Sequence, residues 1–386
     1  MRRLAVGVCI AVGLMGLLCL TGFAEEQSGD TAYTLPEEYG DMLDALPDAL
    51  RDSLPEDIFT KDAEAAARAW ESLASPEGLF RLLGEQLTAH WQEYVRLLLF
   101  LCGILLLRGV LGCASASLRT PALSGGVQLL CRVGLFGAII TQAMTVLSGV
   151  VEFYRQLNGL TSAFLPLMGA MYALGGNVST AVVNHSTLLL SLSLVEWLGG
   201  KTVVPLFSLC LAFSLLGAFG PSVAGRMQVA TGKLKKWYTT ALSLTMLLLS
   251  AALGAQTTLS ARADTLSFRT VRFAVSSSLP VVGGGVAEML KTAAAGMSWL
   301  RGVVGVGGIV LLVWLLLPQV ISLLLTRGMY ALAGDMAGWL GCEGEAKLLS
   351  EIASLFGYLV AVVALSAVTF LCALLLLLKC GSVYGG

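Results

Sequence analysis

Long apolar stretches alternate with shorter polar ones along most of the chain. Seven firm stretches are each about 17–25 residues long, enough for a helix to cross a bilayer, and an eighth lies near the carboxyl terminus. The sequence therefore predicts an all-α, polytopic helical membrane protein with about eight spans. We place these spans near residues 94–112, 127–150, 160–176, 182–198, 202–219, 238–256, 302–326 and 351–378.

The first residues follow the pattern of a secretory leader. Two arginines precede an apolar run over residues 4–23, and small residues surround a cleavage point before Glu25. We predict a signal peptide at residues 1–24, with an uncleaved first span as the alternative. Under both interpretations the chain is exported from residue 25 onward.

The next segment, residues 25–93, is rich in Asp and Glu and contains the dipeptide Leu-Pro three times. Proline interrupts helices, so the pattern predicts short helices in an acidic extracytoplasmic segment. Ser75 and Pro76 then mark the start of a helix that runs directly into the first span. Its apolar face is expected on the membrane surface or against a partner. Residues 94–386 form the multi-span membrane domain.

Basic residues between the spans predict the orientation, because cytoplasmic loops of membrane proteins carry an excess of Lys and Arg. With residue 25 outside, the loop flanked by Arg108 and Arg132 and the basic loop 220–237 both fall inside. Residues 257–301 fall outside, although five of them are basic. Two explanations stay open: this segment enters the membrane with its arginines paired inside the protein, or it binds an acidic partner on the outer face.

One element of that region is unlike a membrane-spanning helix. The stretch 266–285 combines Arg269 and Arg272 with a serine triplet, Pro280 and three consecutive glycines. Proline and glycine disfavour a continuous helix, and bare backbone is tolerated at membrane depth only where protein or water covers it. We therefore predict one or two broken or re-entrant helices that face the protein interior.

A similar element occurs earlier in the chain. When Pro166 is aligned with Pro280, Arg155 falls on Arg269. Membrane proteins built around a central path often contain internal repeats. The match is short, so chance similarity is the alternative to an internal repeat near 127–220 and 238–330.

The composition agrees with a membrane location. Of the 386 residues, 56% are hydrophobic and 13% are charged, whereas about a quarter are charged in a soluble domain. The net charge of −1 hides an acidic segment and a basic remainder. The nine cysteines include no Cys-x-x-Cys pair and none lies in 25–93, so the exported segment has no disulfide framework.

The sequence lacks the side-chain patterns of a catalytic site. His90 and His185 have no neighbouring ligand or triad pattern, and the glycine cluster at 302–308 lacks the Gly-Lys-Ser/Thr ending of a phosphate loop. Small-residue helix packing explains that cluster. We therefore predict no enzyme, no cofactor and no metal site.

Charged side chains in or beside the spans are the remaining candidates, because a charge at bilayer depth costs about 2.5–3.5 kcal/mol and is usually paired. In two pairs, Glu152 with Arg155 and Glu288 with Lys291, the partners are three residues apart on one helical face. These pairs are either ordinary interfacial ion pairs or part of the lining of a conduit or subunit contact. The candidate ion-pair residues are Glu152, Glu288 and Lys291, and the candidate conduit or subunit-contact residues are Arg155, Pro166, Arg269, Arg272, Pro280, Gly283, Gly284 and Gly285.

Several motifs together resemble the stage III sporulation protein AE family. They are Phe-Arg-Thr-Val-Arg-Phe at 268–273, Leu-Pro-Val-Val-Gly at 279–283, Trp-Leu-Arg-Gly-Val-Val-Gly-Val at 299–306, Ser-Ala-Phe-Leu-Pro-Leu at 162–167 and Gly-Gly-Asn-Val-Ser at 175–179. The likeness covers roughly the whole chain and is most specific over residues 155–310. It extends to the order of leader, acidic segment and many spans. The family has no catalytic motif to transfer.

This resemblance implies an integral membrane component of a secretion-like channel apparatus that links mother cell and forespore during endospore formation. The resemblance also implies that late forespore development requires this component. It implies as partners the other proteins of the stage III sporulation A operon, including its ATPase and ring-forming members, and the forespore-side protein Q. The expected location is the mother-cell membrane around the forespore. The lipid bilayer is a further expected partner, and no nucleic acid is expected to bind. A stand-alone secondary transporter and a passive membrane scaffold are the alternatives.

Overall fold

The computed structural model describes residues 37–44, 54–60, 62–118, 121–174, 196–218, 225–245 and 283–380, with isolated positions at 46, 51, 247, 248, 251 and 255. These residues form helices and short connections, and no strand occurs among them. The all-α prediction is confirmed for this part of the chain. The predicted signal peptide, most of the predicted span at 182–198 and the segment with Arg269, Arg272 and Pro280 lie outside the described residues.

Eight helices follow one another along the described chain. Two shorter helical turns lie between them, a 3₁₀ turn at Glu56–Phe59 and a π-helical turn at Glu196–Lys201. The helices are α1 Glu37–Asp44, α2 Ala63–Ala74, α3 Pro76–Leu118, α4 Pro121–Leu174, α5 Thr202–Gly217, α6 225–245, α7 Gly283–Trp339 and α8 Glu343–Cys380.

Five stretches within these helices are long and apolar enough to cross a membrane, which marks the chain as a membrane protein. The expected total of about eight spans stays a prediction. The five stretches are Trp91–Leu111, Leu129–Ala170, Gly199–Gly217, Val303–Trp339 and Glu343–Leu371.

The start of α3 follows the predicted capping pattern. The Ser75 hydroxyl accepts a hydrogen bond from the Gly78 amide at 3.1 Å, and Pro76 occupies the first helical position, where its missing N–H costs nothing. The helix then continues without a break into the apolar stretch Trp91–Leu111.

Contacts between side chains show that α3 runs parallel to α7. The Tyr94 hydroxyl donates to Ser322 Oγ at 2.9 Å, and further along both helices Cys102 Sγ lies 3.3 Å from Met336 Sδ. Helices α4 and α8 are parallel for the same reason, since Arg132 pairs with Glu345 and Tyr154 with Ser366.

Helices α5 and α6 continue the alternation of direction. Phe207 of α5 packs against Phe356 with ring centroids 5.6 Å apart, while Ser214, further along α5, bonds Glu351, nearer the start of α8. This order makes α5 antiparallel to α8. Helix α6 is parallel to α8, because its Lys235 and later Tyr238 meet Ser354 and later Tyr358. Helices α3 to α8 therefore form an up-and-down bundle.

The connection between α7 and α8 is a tight turn with a defined hydrogen-bond pattern. The Cys342 amide donates to the Ala337 carbonyl at 2.9 Å, and the Gly341 amide donates to the Gly338 carbonyl at 3.1 Å. With Gly341 at φ 72°, this is a Schellman motif, which ends a helix with a left-handed residue. The turn sends α8 back along α7, and the two helices pack along their length, with Tyr330 stacked on Phe356.

One of the predicted breaks is absent. The spans predicted at 127–150 and 160–176 belong to the single helix α4, which continues through Pro166. Proline removes one backbone donor, and in membrane proteins neighbouring groups re-satisfy the freed carbonyl, so the helix does not have to end. The glycine triplet is also placed differently from the prediction, because Gly283, Gly284 and Gly285 form the first turn of α7.

The acidic amino-terminal helices share one apolar core with the bundle. The fully buried Trp70 of α2 donates from Nε1 to the Tyr39 hydroxyl at 3.1 Å, and that hydroxyl donates to the Ile58 carbonyl at 3.2 Å. Burial raises the pKa of Tyr39 to about 12, so it remains a neutral donor at physiological pH. The Trp70 ring lies against Gly307 of α7, where a Cβ would approach it to 2.8 Å.

We call this region, with Trp70, Gly307 and the neighbouring contact of Phe164 with Gly308, the capped end of the bundle. Helix α1 packs on α4 and helix α2 packs on α7 at this end.

Replacing Gly341 with alanine is expected to destabilise the protein by about 1–2 kcal/mol, because a non-glycine residue is strained in the left-handed region. No atom lies within 4 Å of the added Cβ, so the strain would come from the backbone alone. Gly338→Ala is the matched control, since its Cβ also meets nothing and alanine favours a helix. Thermal unfolding of the full chain in detergent compares them; equal midpoints would refute the prediction.

Gly307→Ala is expected to loosen the capped end, because the new Cβ forces the Trp70 ring to move. Overpacking of this kind costs about 1–3 kcal/mol. Thiol labelling of a single cysteine at the buried position of Ala66, in a chain without native cysteines, should become about tenfold faster. Gly328→Ala, where the Cβ meets nothing within 4 Å, should leave the rate unchanged. An unchanged labelling rate in both variants would contradict the contact between the Trp70 ring and Gly307.

Candidate functional site

Arg155, the first residue of the predicted conduit, lies on the outside of the bundle. Its side chain is 78% exposed and pairs with Glu152 of the same helix, with Nε and Nη2 each 2.9 Å from a carboxylate oxygen. Gln156 also donates to Glu152 at 3.0 Å. Within a single chain Arg155 therefore does not line the packed interior, and it remains accessible to a neighbouring subunit.

The other predicted residues are spread along two helices. Pro166 is exposed on α4, and the glycine triplet opens α7. Glu288 and Lys291 follow in the first turns of α7, where the backbone alone is described, so their pairing stays a prediction. Because Arg269, Arg272 and Pro280 lie outside the described residues, the proximity of the two arginine-bearing elements also stays a prediction.

The described residues instead bring a different set of charges together at the start of α8. Glu345 accepts from Arg108 Nε at 2.8 Å and from Arg132 Nε at 3.3 Å, and both hydrogen bonds end on the same oxygen, Oε1. Glu345 is 4% exposed, while Arg108 is 15% and Arg132 is 30% exposed. The other carboxylate oxygen, Oε2, is buried and accepts no hydrogen bond from the described part of the protein.

Each of these residues is placed by the end of an apolar helix. Arg108 lies three residues before the end of the stretch that closes at Leu111, and Arg132 lies three residues after the start of the stretch that begins at Leu129. Glu345 is in the first turn of α8, where the helix dipole favours a negative charge. The alternating helix directions bring these three ends together. Gly344 adds no side chain beneath Arg132, whose Nη2 would lie 3.8 Å from a Cβ there.

A second polar group lies about two turns further along α8. Gln228 of α6 donates from Nε2 to Glu351 Oε1, and Lys235 donates from Nζ to Ser354 Oγ at 3.4 Å. Burial lowers the pKa of the Lys235 ammonium, and the negative charge of Glu351 partly opposes that shift. Helix α6 is thus attached to α8 by polar contacts.

We call the two groups, with Arg108, Arg132, Glu345, Lys235 and Glu351, the charged end of the bundle. Measured along α7, the charged end is far from the capped end, since Gly307 and Trp339, the last residue of α7 before α8, are 32 residues or about 48 Å apart at 1.5 Å per residue. The arrangement holds and orients charge within an apolar surround. Among the described residues no group of three His, Cys, Asp or Glu side chains is placed to hold a metal ion.

The sequence interpretation used Arg108 and Arg132 for topology and did not identify this site. One signal was present in the pattern. Glu343 and Glu345 are acidic residues in the predicted inside loop between the spans at 302–326 and 351–378, whereas the other two predicted inside loops carry an excess of Lys and Arg. An acidic residue in such a position has several cationic partners within reach, and burial of one of them is then expected.

These features define an all-helical membrane bundle that buries paired charges at one end and carries docked amino-terminal helices at the other. The chain belongs to the stage III sporulation protein AE family, because the model of that family matches residues 66–381. Neither the comparison with curated proteins nor the comparison with solved structures gives a match. The match confirms the resemblance predicted from the motifs. It includes both the charged end and Trp70 of the capped end.

Glu345→Gln is expected to destabilise the protein by about 3–5 kcal/mol, since removing one partner of a buried ion pair leaves uncompensated charge behind. Glu343→Gln is the matched control, because Glu343 is exposed in the same helical turn. Thermal unfolding of both purified variants in detergent measures the difference. A Glu345→Gln midpoint no lower than that of Glu343→Gln would show that the two arginines do not depend on the carboxylate.

Proposed function

We propose that this chain is an integral membrane component of the secretion-like channel apparatus that links mother cell and forespore during endospore formation, where it serves late forespore development. Membership of the stage III sporulation protein AE family over residues 66–381 carries the proposal. The five apolar helix stretches support a component that resides in the membrane.

In the proposed orientation the charged end faces the mother-cell cytoplasm, and the capped end faces the space between the two membranes. The helix directions support this arrangement, because they place Arg108, Arg132 and the basic helix α6 at one end and the acidic helices α1 and α2 at the other. Cytoplasmic ends of membrane proteins carry an excess of Lys and Arg. The proposed location is a multi-pass position in the mother-cell membrane around the forespore.

This orientation assigns different partners to the two ends. The ATPase encoded by the stage III sporulation A operon is cytoplasmic, so in this proposal it reaches the charged end. The ring-forming proteins of that operon and the forespore-side protein Q meet the capped end. Exposed polar side chains such as the Glu152–Arg155 pair are available for contacts with these proteins or with further copies of the chain.

The packing of the described core supports a component of a larger assembly over a stand-alone permease. Large apolar side chains from several helices are fully buried where the helices meet, which leaves a filled interior in that part of the chain. Any wide passage would then lie between chains. The same filled interior supports a passive scaffold equally well. The fully buried side chains include Leu101, Leu105, Leu135, Ile139, Phe207 and Phe356.

The proposal is tested by complementation in an endospore-forming bacterium whose own family member has been deleted. The intact chain is expected to restore a late forespore-specific reporter after engulfment and to co-purify with the operon proteins. A chain that accumulates in the membrane at normal levels, but restores no reporter activity and captures none of those proteins, would disprove the proposal.

Arg155→Ala separates a conduit from a scaffold in the same strain. Normal co-purification with at least a tenfold lower reporter signal is expected for a residue of the transfer path. Loss of co-purification together with the reporter would indicate a scaffold contact. Arg226→Ala is the control, since Arg226 is an exposed arginine of α6 outside both ion-pair groups of the charged end. If Arg155→Ala behaves like this control, neither role belongs to Arg155.

A further inference from the structure

The charged end has hydrogen-bonding capacity that the described protein does not use. A guanidinium group has five N–H donors, and Arg108 and Arg132 each place only Nε on Glu345. Their terminal Nη nitrogens donate to no side chain or carbonyl among the described residues. Glu345 Oε2 is buried and equally without a donor there. Within the part of the chain that the structure describes, the site thus combines several unused donors with one unused acceptor.

The charges of the site do not balance. Two guanidinium groups face one carboxylate, and Glu345 is the single acidic side chain within ion-pair distance of either arginine in the described chain. One positive charge is left over in a half-buried position. Such a charge in a membrane protein is costly unless a counter-charge meets it. A ligand with a single negative charge would complete the site.

The depth of the site indicates where that anion comes from. Each of the three charged residues lies within three positions of the end of an apolar stretch. Three separate helices therefore place the site at the boundary between hydrocarbon and headgroups, where the phosphodiesters of lipids are concentrated. Basic pockets between helices on the cytoplasmic side are known to bind phospholipid headgroups. The apolar stretches concerned are Trp91–Leu111, Leu129–Ala170 and Glu343–Leu371.

The surface beside the arginines suits acyl chains. Large apolar side chains next to Arg108 and Arg132 are exposed on the outside of the bundle and continue along α3 and α4. A lipid whose headgroup entered the site would lay its chains along this surface. The exposed side chains are Leu106, Leu107, Val110, Leu129, Leu130 and Val133.

We propose that Arg108, Arg132 and Glu345 form a binding site for an anionic phospholipid of the phosphatidylglycerol type. The terminal nitrogens of both arginines hold the phosphodiester, as guanidinium groups do with phosphate. A headgroup hydroxyl donates to Glu345 Oε2, the acceptor left free. The single negative charge of the lipid neutralises the site. The inference does not depend on the proposed function, since it uses only the membrane location and the geometry of these residues.

Lipid selectivity of the wild-type chain is the first test. The purified full chain is mixed in detergent with phosphatidylglycerol, phosphatidylmethanol, phosphatidylcholine or inorganic phosphate, and retained lipid is counted by native mass spectrometry alongside the thermal midpoint. Phosphatidylmethanol has the same phosphodiester charge and no hydroxyl. We expect at least tenfold better retention of phosphatidylglycerol than of phosphatidylcholine, intermediate retention of phosphatidylmethanol, and no protection by inorganic phosphate.

Arg132→Gln and Arg132→Lys form the second test. Arg132 is the more exposed of the two arginines, so its replacement disturbs folding least. Retention of phosphatidylglycerol should fall about tenfold in Arg132→Gln, and Arg132→Lys should recover it only in part, because an ammonium lacks the fork of donors. Arg226→Gln, which removes an exposed charge on α6, should retain the lipid as the wild type does.

Several results would overturn the proposal. Equal retention of phosphatidylglycerol and phosphatidylcholine by the wild type would refute an anion site, even if every variant failed to fold. Equal retention of phosphatidylglycerol and phosphatidylmethanol would refute the hydrogen bond to Glu345. Protection by inorganic phosphate equal to that by lipid would refute a lipid as the ligand. An equal loss in Arg226→Gln would reduce the effect to general surface charge.

Discussion

Helix α8 is surrounded by other helices of the bundle, and its burial constrains every polar group that it carries. In its most apolar part 72% of the residues are buried inside the protein, against 17% in α3. Most buried polar side chains in proteins are hydrogen-bonded, and neighbouring helices supply partners for several of those on α8, although the buried Tyr358 hydroxyl has no partner among the described residues. Glu345 is met by α3 and α4, Glu351 by α6, and Ser366 by Tyr154 of α4. The charged end is therefore a consequence of placing polar residues on the central helix.

Close packing between the helices depends on small residues, because lipid supplies no hydrophobic drive for helices to associate within a bilayer. Gly334 of α7 lies directly against α8, where its Cβ would be 3.5 Å from Leu349. Gly357 of α8 leaves room for the Arg327 guanidinium, 3.1 Å from the position of a Cβ. Gly307 and Gly308 receive Trp70 and Phe164 in the same way. Glycines thus allow both helix contact and the docking of the acidic helices.

Hydropathy located most of the helices, but it did not distinguish burial in lipid from burial against protein. The predicted spans near 94–112, 302–326 and 351–378 lie within α3, α7 and α8, and the span near 202–219 overlaps α5, because long apolar runs have few other solutions in a bilayer. The span predicted near 160–176 arose from side chains such as Leu160 and Phe164, which pack in the protein core. The Arg108–Glu345 pair was beyond local patterns, since 237 positions separate its partners.

The charges on α4 explain how one helix contains an apolar surface that faces lipid and another that packs against protein. Arg132 and Glu152 are separated by about 30 Å along the helix at 1.5 Å per residue, which equals the hydrocarbon thickness of a typical bilayer. With Arg132 at one boundary, the exposed Glu152–Arg155 pair falls at the other, where water and headgroups solvate it. The rest of α4 lies past this second level of charge, and its apolar face is covered by α1 and by the part of α7 around Gly308. The apolar stretch Leu129–Ala170 is therefore long because one continuous helix carries charges at two positions along its length, Arg132 and the Glu152–Arg155 pair, and not because the helix is broken at Pro166.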